Sequence, residues 1–419
     1  MFSISSQFRK KSVIAKLHRA NKYLPDLEAL EQKELTAVDI TRFQIPAPSS
    51  GQVSGIQNLN LASDGQIWFV ENMYFDNNIM KNEICRISTT GKTTVVVPVS
   101  SLDSINIYDL IAGRDGIEWF VGSNNINPVS SESIVGKITQ DGQITIFDLG
   151  SDIYANHITT GLDGSLWITA VSNNDSSTPN QGMLIHVNQD GVISRIPLIT
   201  TSDLSGLEGV ASDRAGNIWV GSYFFANDNY KRVSILFCYS TKGVISQYSI
   251  LPKRVVLNRN NKPFYRDNAV EVNSLTQGPD GNVWFTTGAY SKNVPRSVWK
   301  VTPNHRFSRV TAFPIGVNGY PSGIISGNSH KLFFVVNDTN GDIAHPLFKI
   351  GVIDTSMQIR FIRIQKQSYT LDDSKSFDPS VLAIGSDGNL WCNNWLSMID
   401  SSSRTDIARI KLPKVSKIK

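Results

Sequence analysis

His157 is the group in this 419-residue chain best suited to proton transfer. An imidazole titrates near ~6.5, so it can take or give a proton at neutral pH. The other five histidines sit in less promising contexts: His18 in a basic N-terminal stretch, His186 within an apolar run, and His305, His330 and His345 in turn-like segments. Polar groups recur at the same distance from a set of repeated aromatics. Ten residues before them come Asn58, Asp109 and His157; eleven before come Tyr108, Asn156, Glu208 and Asn273; three after the first comes Glu71. If these positions converge, His157 is the candidate base, with Glu71 and Glu208 as its catalytic companions. Carboxylate and amide oxygens suit a hard cation, so Asp109, Glu208 and Asn273 are candidate ligands for Mg²⁺ or Ca²⁺. Asn58, Tyr108 and Asn156 would then contact a bound molecule, together with the loop aromatics Tyr74, Tyr223 and Trp395. The same residues also suit a water-filled channel lined by ordinary polar groups.

The elements that must position these groups come from a repeat. SDGQIWFV, RDGIEWFV, LDGSLWIT, RAGNIWVG, PDGNVWFT, NSHKLFFV and SDGNLWCN share a tight-turn pair, two residues, and an aromatic that opens an apolar run. The aromatics are Trp68, Trp119, Trp167, Trp219, Trp284, Phe333 and Trp391, spaced 51, 48, 52, 65, 49 and 58 residues apart. Asp-Gly between short apolar runs signals a hairpin. A second run follows each aromatic (ICRI, VGKI, LIHV, LFCY, VWKV, LFKI, IARI), its last residue 19, 19, 20, 20, 17, 17 and 19 positions on. Another turn and a fourth run usually come next. Seven such units predict an all-β fold, a seven-bladed β-propeller of four-stranded antiparallel blades.

The last unit has no fourth strand after IARI, whereas VDITRFQIPAP before the first looks like one. Residues 40–46 are therefore expected to complete blade seven and leave no open edge. The expected organisation is a basic, helical N-terminal extension over 1–38, with helices near 6–22 and 26–36, a propeller over 39–411 and a basic tail over 412–419.

Charge supports that division. Residues 1–25 carry six basic groups and 409–419 carry five, with no acid in either, so the net +4 leaves 4 − 11 = −7 on the remainder. An acidic body lacks the basic face that nucleic-acid binding needs. No apolar run reaches the ~18–20 residues of a membrane span, and no apolar core near Met1 marks a secretory signal. A cytoplasmic monomer is expected, although the acid-free first 25 residues also suit a transit peptide. Cys85, Cys238 and Cys392 are widely spaced and read as buried thiols in a reducing compartment.

At SDGQIWFVEN, ICRI, IVGKITQDGQITIFDL and NHITTGLDGSLWIT the chain resembles the virginiamycin B lyase (streptogramin lyase) family, over about residues 40–411. The resemblance implies a seven-bladed propeller that opens a cyclic peptide lactone by elimination, with a magnesium ion and histidines at the channel mouth. NHITTGLDGSLWI is similar to the family's HxIxxGxDGxxWF pattern and puts His157 at its catalytic histidine. The family's Glu-x-His element is absent from the chain. Two classes of function follow. One is an enzyme, a metal-assisted lyase or lactonase acting on a small cyclic ester. The other is a non-catalytic propeller that binds a glycan, peptide or protein on its long-loop face.

Overall fold

Alternation is what makes each repeat a strand, and apolar residues on both faces are what make it an inner wall. Ile67, Phe69 and Ile87 pack to one side of the first sheet, while Trp68, Val70 and Ile84 pack to the other. A sheet buried on both faces must be sandwiched between two others. Repeated round a ring, this gives a propeller. The computed structural model describes Glu34–Leu35 and residues 39–412, apart from 47–51, 76–78, 103, 114–115, 128–129, 173–179, 202–203, 226–231, 252–253, 258–269, 289–295, 313–319, 328–329, 339–346, 355–356, 364–380 and 395–405.

Seven antiparallel sheets form the blades. Blade one contains Gln52–Leu61, Ile67–Phe75, Ile79–Ile87 and Thr93–Val97; blade two contains Ile105–Ala112, Glu118–Asn127, Ser130–Ile138 and Ile144–Gly150. Blade three is Ile153–Thr160, Leu166–Ser172, Asn180–Val187 and Ile193–Thr201. Blades four to seven begin with Leu204–Ser212, Glu271–Gln277, Tyr320–Ser326 and Leu382–Ile384. The first strands of successive blades touch one another around the ring, and blade seven's touches blade one's. These strands therefore line the axis. Seven apolar clusters fill the seven seams between blades, so the core is distributed radially rather than gathered in one place.

Closure follows the sequence expectation. Ile40–Gln44 pairs antiparallel with Asp406–Ile410 as the outermost strand of blade seven, and Lys411 N–H continues the ladder to Asp39 O at 2.9 Å. Phe43 stacks on Trp391 at 5.3 Å.

Three details differ from the sequence reading. The expected helix over 26–36 does not hold at its end: Glu34–Leu35 is a short strand, parallel to Phe361 and Ile362 at the outer edge of blade six. Backbone groups at that edge offer hydrogen bonds that override local helix preference. The rest of the expected extension lies outside the described residues, as does 413–419. In blade six the residue that ends the third strand opposite Leu332 is Ile353, not Ile350. Leu347, Phe348, Ile350, Val352 and Ile353 put apolar residues on both faces of Leu347–Asp354, so the pattern alone does not choose between registers three apart. Blade four carries a further strand, Arg254–Leu257, beyond Ile245–Leu251, which accounts for some of the 65-residue spacing between Trp219 and Trp284.

The turns do more than reverse the chain. In blade one Asp64 accepts the backbone N–H of Gln66 at 2.9 Å, the Trp68 indole N–H at 3.2 Å and Arg86 Nη1 at 3.2 Å. Asp280 with Trp284 and Lys300, and Asp387 with Trp391 and Arg409, repeat the arrangement. The cations lie over the indole rings at 5.2 to 5.9 Å. Blade six lacks the Asp-Gly, and His330 takes the left-handed conformation (φ 62°) that Gly65 takes in blade one (φ 76°). Among the described residues, no helix is long and apolar enough to cross a membrane.

Candidate functional site

The polar ring predicted from residue spacing is built on bulges. Pairing between the first and second strands shifts register at Gln57/Leu59, Ile107/Asp109, Ala155/Ile158, Glu208/Val210, Val272/Ser274 and Ser322/Ile325. The extra residues are Asn58, Tyr108, Asn156 with His157, Gly209, Asn273, and Gly323 with Ile324. A bulge bends its strand and re-aims side chains. In blades one, two, three and five the bulged residues are polar, whereas Gly209 and Gly323 with Ile324 are not. The ring sits partway along the strands rather than at their first residues, because pairing continues beyond the bulge, as at Ile105–Asn124. The expected position at the channel mouth is corrected to a level within the channel wall.

His157 and Asp109 meet across the seam between blades two and three. His157 Nδ1 lies 3.7 Å from Asp109 Oδ2, and the imidazole side chain keeps 39% of its surface exposed. The backbone on both sides is fixed. Asp109 Oδ1 accepts Leu110 N–H at 2.9 Å and Oδ2 accepts Ile158 N–H at 3.1 Å, while His157 N–H donates to Thr169 Oγ1 at 3.2 Å. Burial opposes a charge on the ring, but the contact with Asp109 and its charge, with the Glu208 charge added, outweigh it and raise the His157 pKa above its ordinary value. The structure therefore brings His157, Asp109 and Glu208 into one electrostatic group. Because Asp109 faces Nδ1, the geometry leaves Nε2 as the imidazole nitrogen not held by the carboxylate.

The amides have other work. Asn58 Nδ2 donates to Tyr108 O at 3.0 Å, across from blade one to blade two, and Asn273 Nδ2 donates to Pro321 O at 3.1 Å, from blade five to blade six. Asn82, Ser133, Ser234 and Asn393 make similar bonds to the first strand of the next blade. Much of the predicted ring thus consists of blade-to-blade fasteners. Asn156 is exposed, and Tyr108 is 38% exposed with its hydroxyl 2.7 Å from Ser123 Oγ. Tyr154, which spacing did not select, is 49% exposed on the same strand as His157. The backbones of Tyr74 and Tyr223 lie near the ends of second strands, and Trp395 lies outside the described residues.

Glu71 is placed apart from His157. It is 1% exposed, pairs across the strands with Glu83, and lies 3.9 Å from Cys85 Sγ. Burial first, then the charge of Glu83 and a hydrogen bond with it, push Glu71 up to about 8. Its expected role as a companion of His157 is corrected, because it faces the interior of the seam between blades seven and one. Residue spacing set its distance from Trp68 but not the residue opposite it.

Of the expected hard-cation ligands, Asp109 accepts one backbone N–H at each oxygen, and Asn273 gives its amide N–H to Pro321 O, which leaves its Oδ1 outside that bond. Asp109, Glu208 and His157 do not gather into a three-donor cluster. Among the described residues that arrangement occurs at Glu71, Glu83 and Cys85.

No family profile matches the chain, and no curated protein matches it in sequence. Solved structures match in shape. A novel fungal alcohol oxidase of the AA5 family, in complex with copper, superposes with a TM-score of 0.52 at 9% identity, covering 90% of this chain and 76% of its own. A Hadza microbial sialidase gives 0.46 at 9% identity over 74% and 66% of the two chains. A protein of unknown function from Bacteroides caccae gives 0.39 at 12% identity over 67% and 95%. At such identities the likeness extends to the propeller fold alone.

Proposed function

We propose that the channel ring is an acid–base site that opens a cyclic ester, with His157 moving the proton and Asp109 orienting the ring. The observation that carries this reading is the 3.7 Å His157–Asp109 pair on a half-open imidazole, with Glu208 adding negative charge. A carboxylate at Nδ1 fixes the tautomer and supports the imidazolium that forms when Nε2 takes a proton. In an elimination Nε2 removes a proton from the carbon next to the one bearing the ester oxygen. The C–H electrons form the double bond, the C–O bond breaks, and the carboxylate leaves with that bond's electron pair. This is the reaction class that the streptogramin lyase resemblance implies. A lactonase would use the same base to deprotonate water instead.

The reading predicts a particular pH profile. The base must be neutral, so kcat/KM for a lactone or depsipeptide rises with pH through the raised His157 pKa. His157→Ala should lower turnover by about 10²–10⁴. Asp109→Asn should shift the rising limb to lower pH, because it removes the charge that raises the pKa. A pH limb unmoved in Asp109→Asn would exclude the pair as the working base.

A second reading has its own observation. The amides of Asn58 and Asn273 serve the scaffold, while Tyr108 and Tyr154 keep exposed rings. Such a surface suits a binding module for a glycan, peptide or protein. Absence of turnover, with ligand capture abolished by Tyr108→Ala and kept in His157→Ala, would select it.

A further inference from the structure

We propose that Glu71, Glu83 and Cys85 form a structural site for a zinc-class divalent cation inside blade one. Their donor atoms, one from each residue, lie within 4.8 Å of one another. Two edges of the triangle are Cys85 Sγ to Glu83 Oε1 at 3.5 Å and Cys85 Sγ to Glu71 Oε2 at 3.9 Å. Bonds of about 2.0 Å to oxygen and 2.3 Å to sulfur give a tetrahedron with edges of roughly 3.3–3.8 Å. The two sulfur–oxygen edges are therefore already near that spacing, and the oxygen–oxygen edge is within 4.8 Å.

A second observation points to a missing partner. Glu71 is 1% exposed, and Oε1, the carboxylate oxygen other than the one facing Cys85, has no hydrogen-bond partner, so a cation held by both oxygens would supply it. A buried carboxylate oxygen without a donor is costly, and a cation supplies what it lacks. The surroundings offer little else: Cys85 belongs to the apolar cluster that joins blade one to blade seven, with Phe69, Ala383 and Ile407.

The site is peculiar to one blade. The pairing places Gly122, Ile134 and Gly136 at the corresponding positions of blade two, and Ala170, Met183 and Ile185 in blade three. Those are residues that pack. Blades five to seven carry Thr287 with Ser297, Lys349, and Asn394 with Asp406 there, so polar residues recur at these positions, but none of those blades joins two carboxylates to a thiol. The thiolate argues for Zn²⁺ or Co²⁺ over Mg²⁺ or Ca²⁺, which prefer all-oxygen cages. With the site closed on its apolar side, its role would be to hold the second and third strands of blade one together.

Cobalt tests the proposal directly. Full-length protein stripped with a chelator should bind one equivalent of Co²⁺, with a thiolate-to-cobalt charge-transfer band and tetrahedral visible bands, and its melting temperature should rise. Cys85→Ser should abolish the charge-transfer band, and Glu71→Gln should weaken Co²⁺ binding at least tenfold. His157→Ala and Asp109→Asn should bind Co²⁺ as wild type does. Should the variants fail to fold, X-ray absorption at the zinc edge of the loaded wild-type protein decides. One sulfur near about 2.3 Å with oxygens near about 2.0 Å supports the site, and a shell without sulfur overturns it. A charge-transfer band that survives Cys85→Ser, or that disappears in Asp109→Asn, also overturns it.

Discussion

Glu118 shows at the scale of one residue what a propeller wall does to an acid. It is 1% exposed at the start of the second strand of blade two and accepts Asn60 Nδ2 at 2.8 Å. Burial pushes its pKa up to about 7; the Asn60 hydrogen bond lowers it and the Asp64 charge raises it. Folded Glu118 therefore holds its proton to higher pH than the unfolded chain does. Its contribution to stability is full below the ordinary carboxylate value of 4.5 and is lost as pH rises through about 7. Urea unfolding between pH 5 and 8 should show stability falling, by up to about 3 kcal/mol from this group. Glu118→Gln should flatten that slope; an unchanged slope would refute the assignment. Glu71, raised in the same direction, keeps some slope in the variant. Of the candidate site, His157, Asp109 and Glu208 were legible because each lies at a fixed distance before a repeat aromatic. The fastening role of Asn58 and Asn273 was not, since it depends on which backbone carbonyl of the next blade comes within reach. Nor were the bulges, because an extra residue in a strand leaves no mark in composition.

Among the elements, the Asp-Gly turns carry more than their backbone shape. Asp64 serves a turn N–H, a buried indole and a cation at once. Asp64→Ala should leave the Trp68 indole N–H without its acceptor, and should destabilise by about 2–3 kcal/mol. Asp141→Ala, in the exposed turn between the third and fourth strands of blade two, should cost less than about 1 kcal/mol. Equal effects at the two sites would show that the indole contact contributes nothing. A second element-scale case is Gly136, where an added Cβ would lie 2.3 Å from the Phe120 ring. Gly136→Ala should displace that ring and lower the melting temperature by several degrees. Strand order was readable because turn, aromatic and third strand recur at near-constant spacing. The register of blade six and the additional strand of blade four were not. A run apolar on both faces allows several pairings, and edge strands are chosen by whichever backbone is free.

Across the whole molecule, stability comes from seven seams, and one of them depends on a strand distant in sequence. Ile40–Gln44 covers Asp406–Ile410, and Arg409 Nη1 reaches across to Thr89 O of blade one at 2.7 Å. A chain beginning at residue 37 should keep this strand, unfold cooperatively and remain monodisperse. A chain beginning at residue 48 should present the naked edge of Asp406–Ile410 and aggregate on warming. Size-exclusion chromatography and thermal melts would compare the two, and identical behaviour would mean that closure is dispensable.

The same clasp has a mechanical consequence. Ile40 lies directly opposite Ile410, and Gln44 opposite Asp406. Tension applied through the chain before Ile40 and after Ile410 therefore acts at one end of the ladder and perpendicular to it. The pairs would separate in succession, as a zipper opens, rather than resist together in shear. A tether attached at those two points should open the ring at low force. A tether between points on adjacent inner strands would load many pairs at once and should hold much longer.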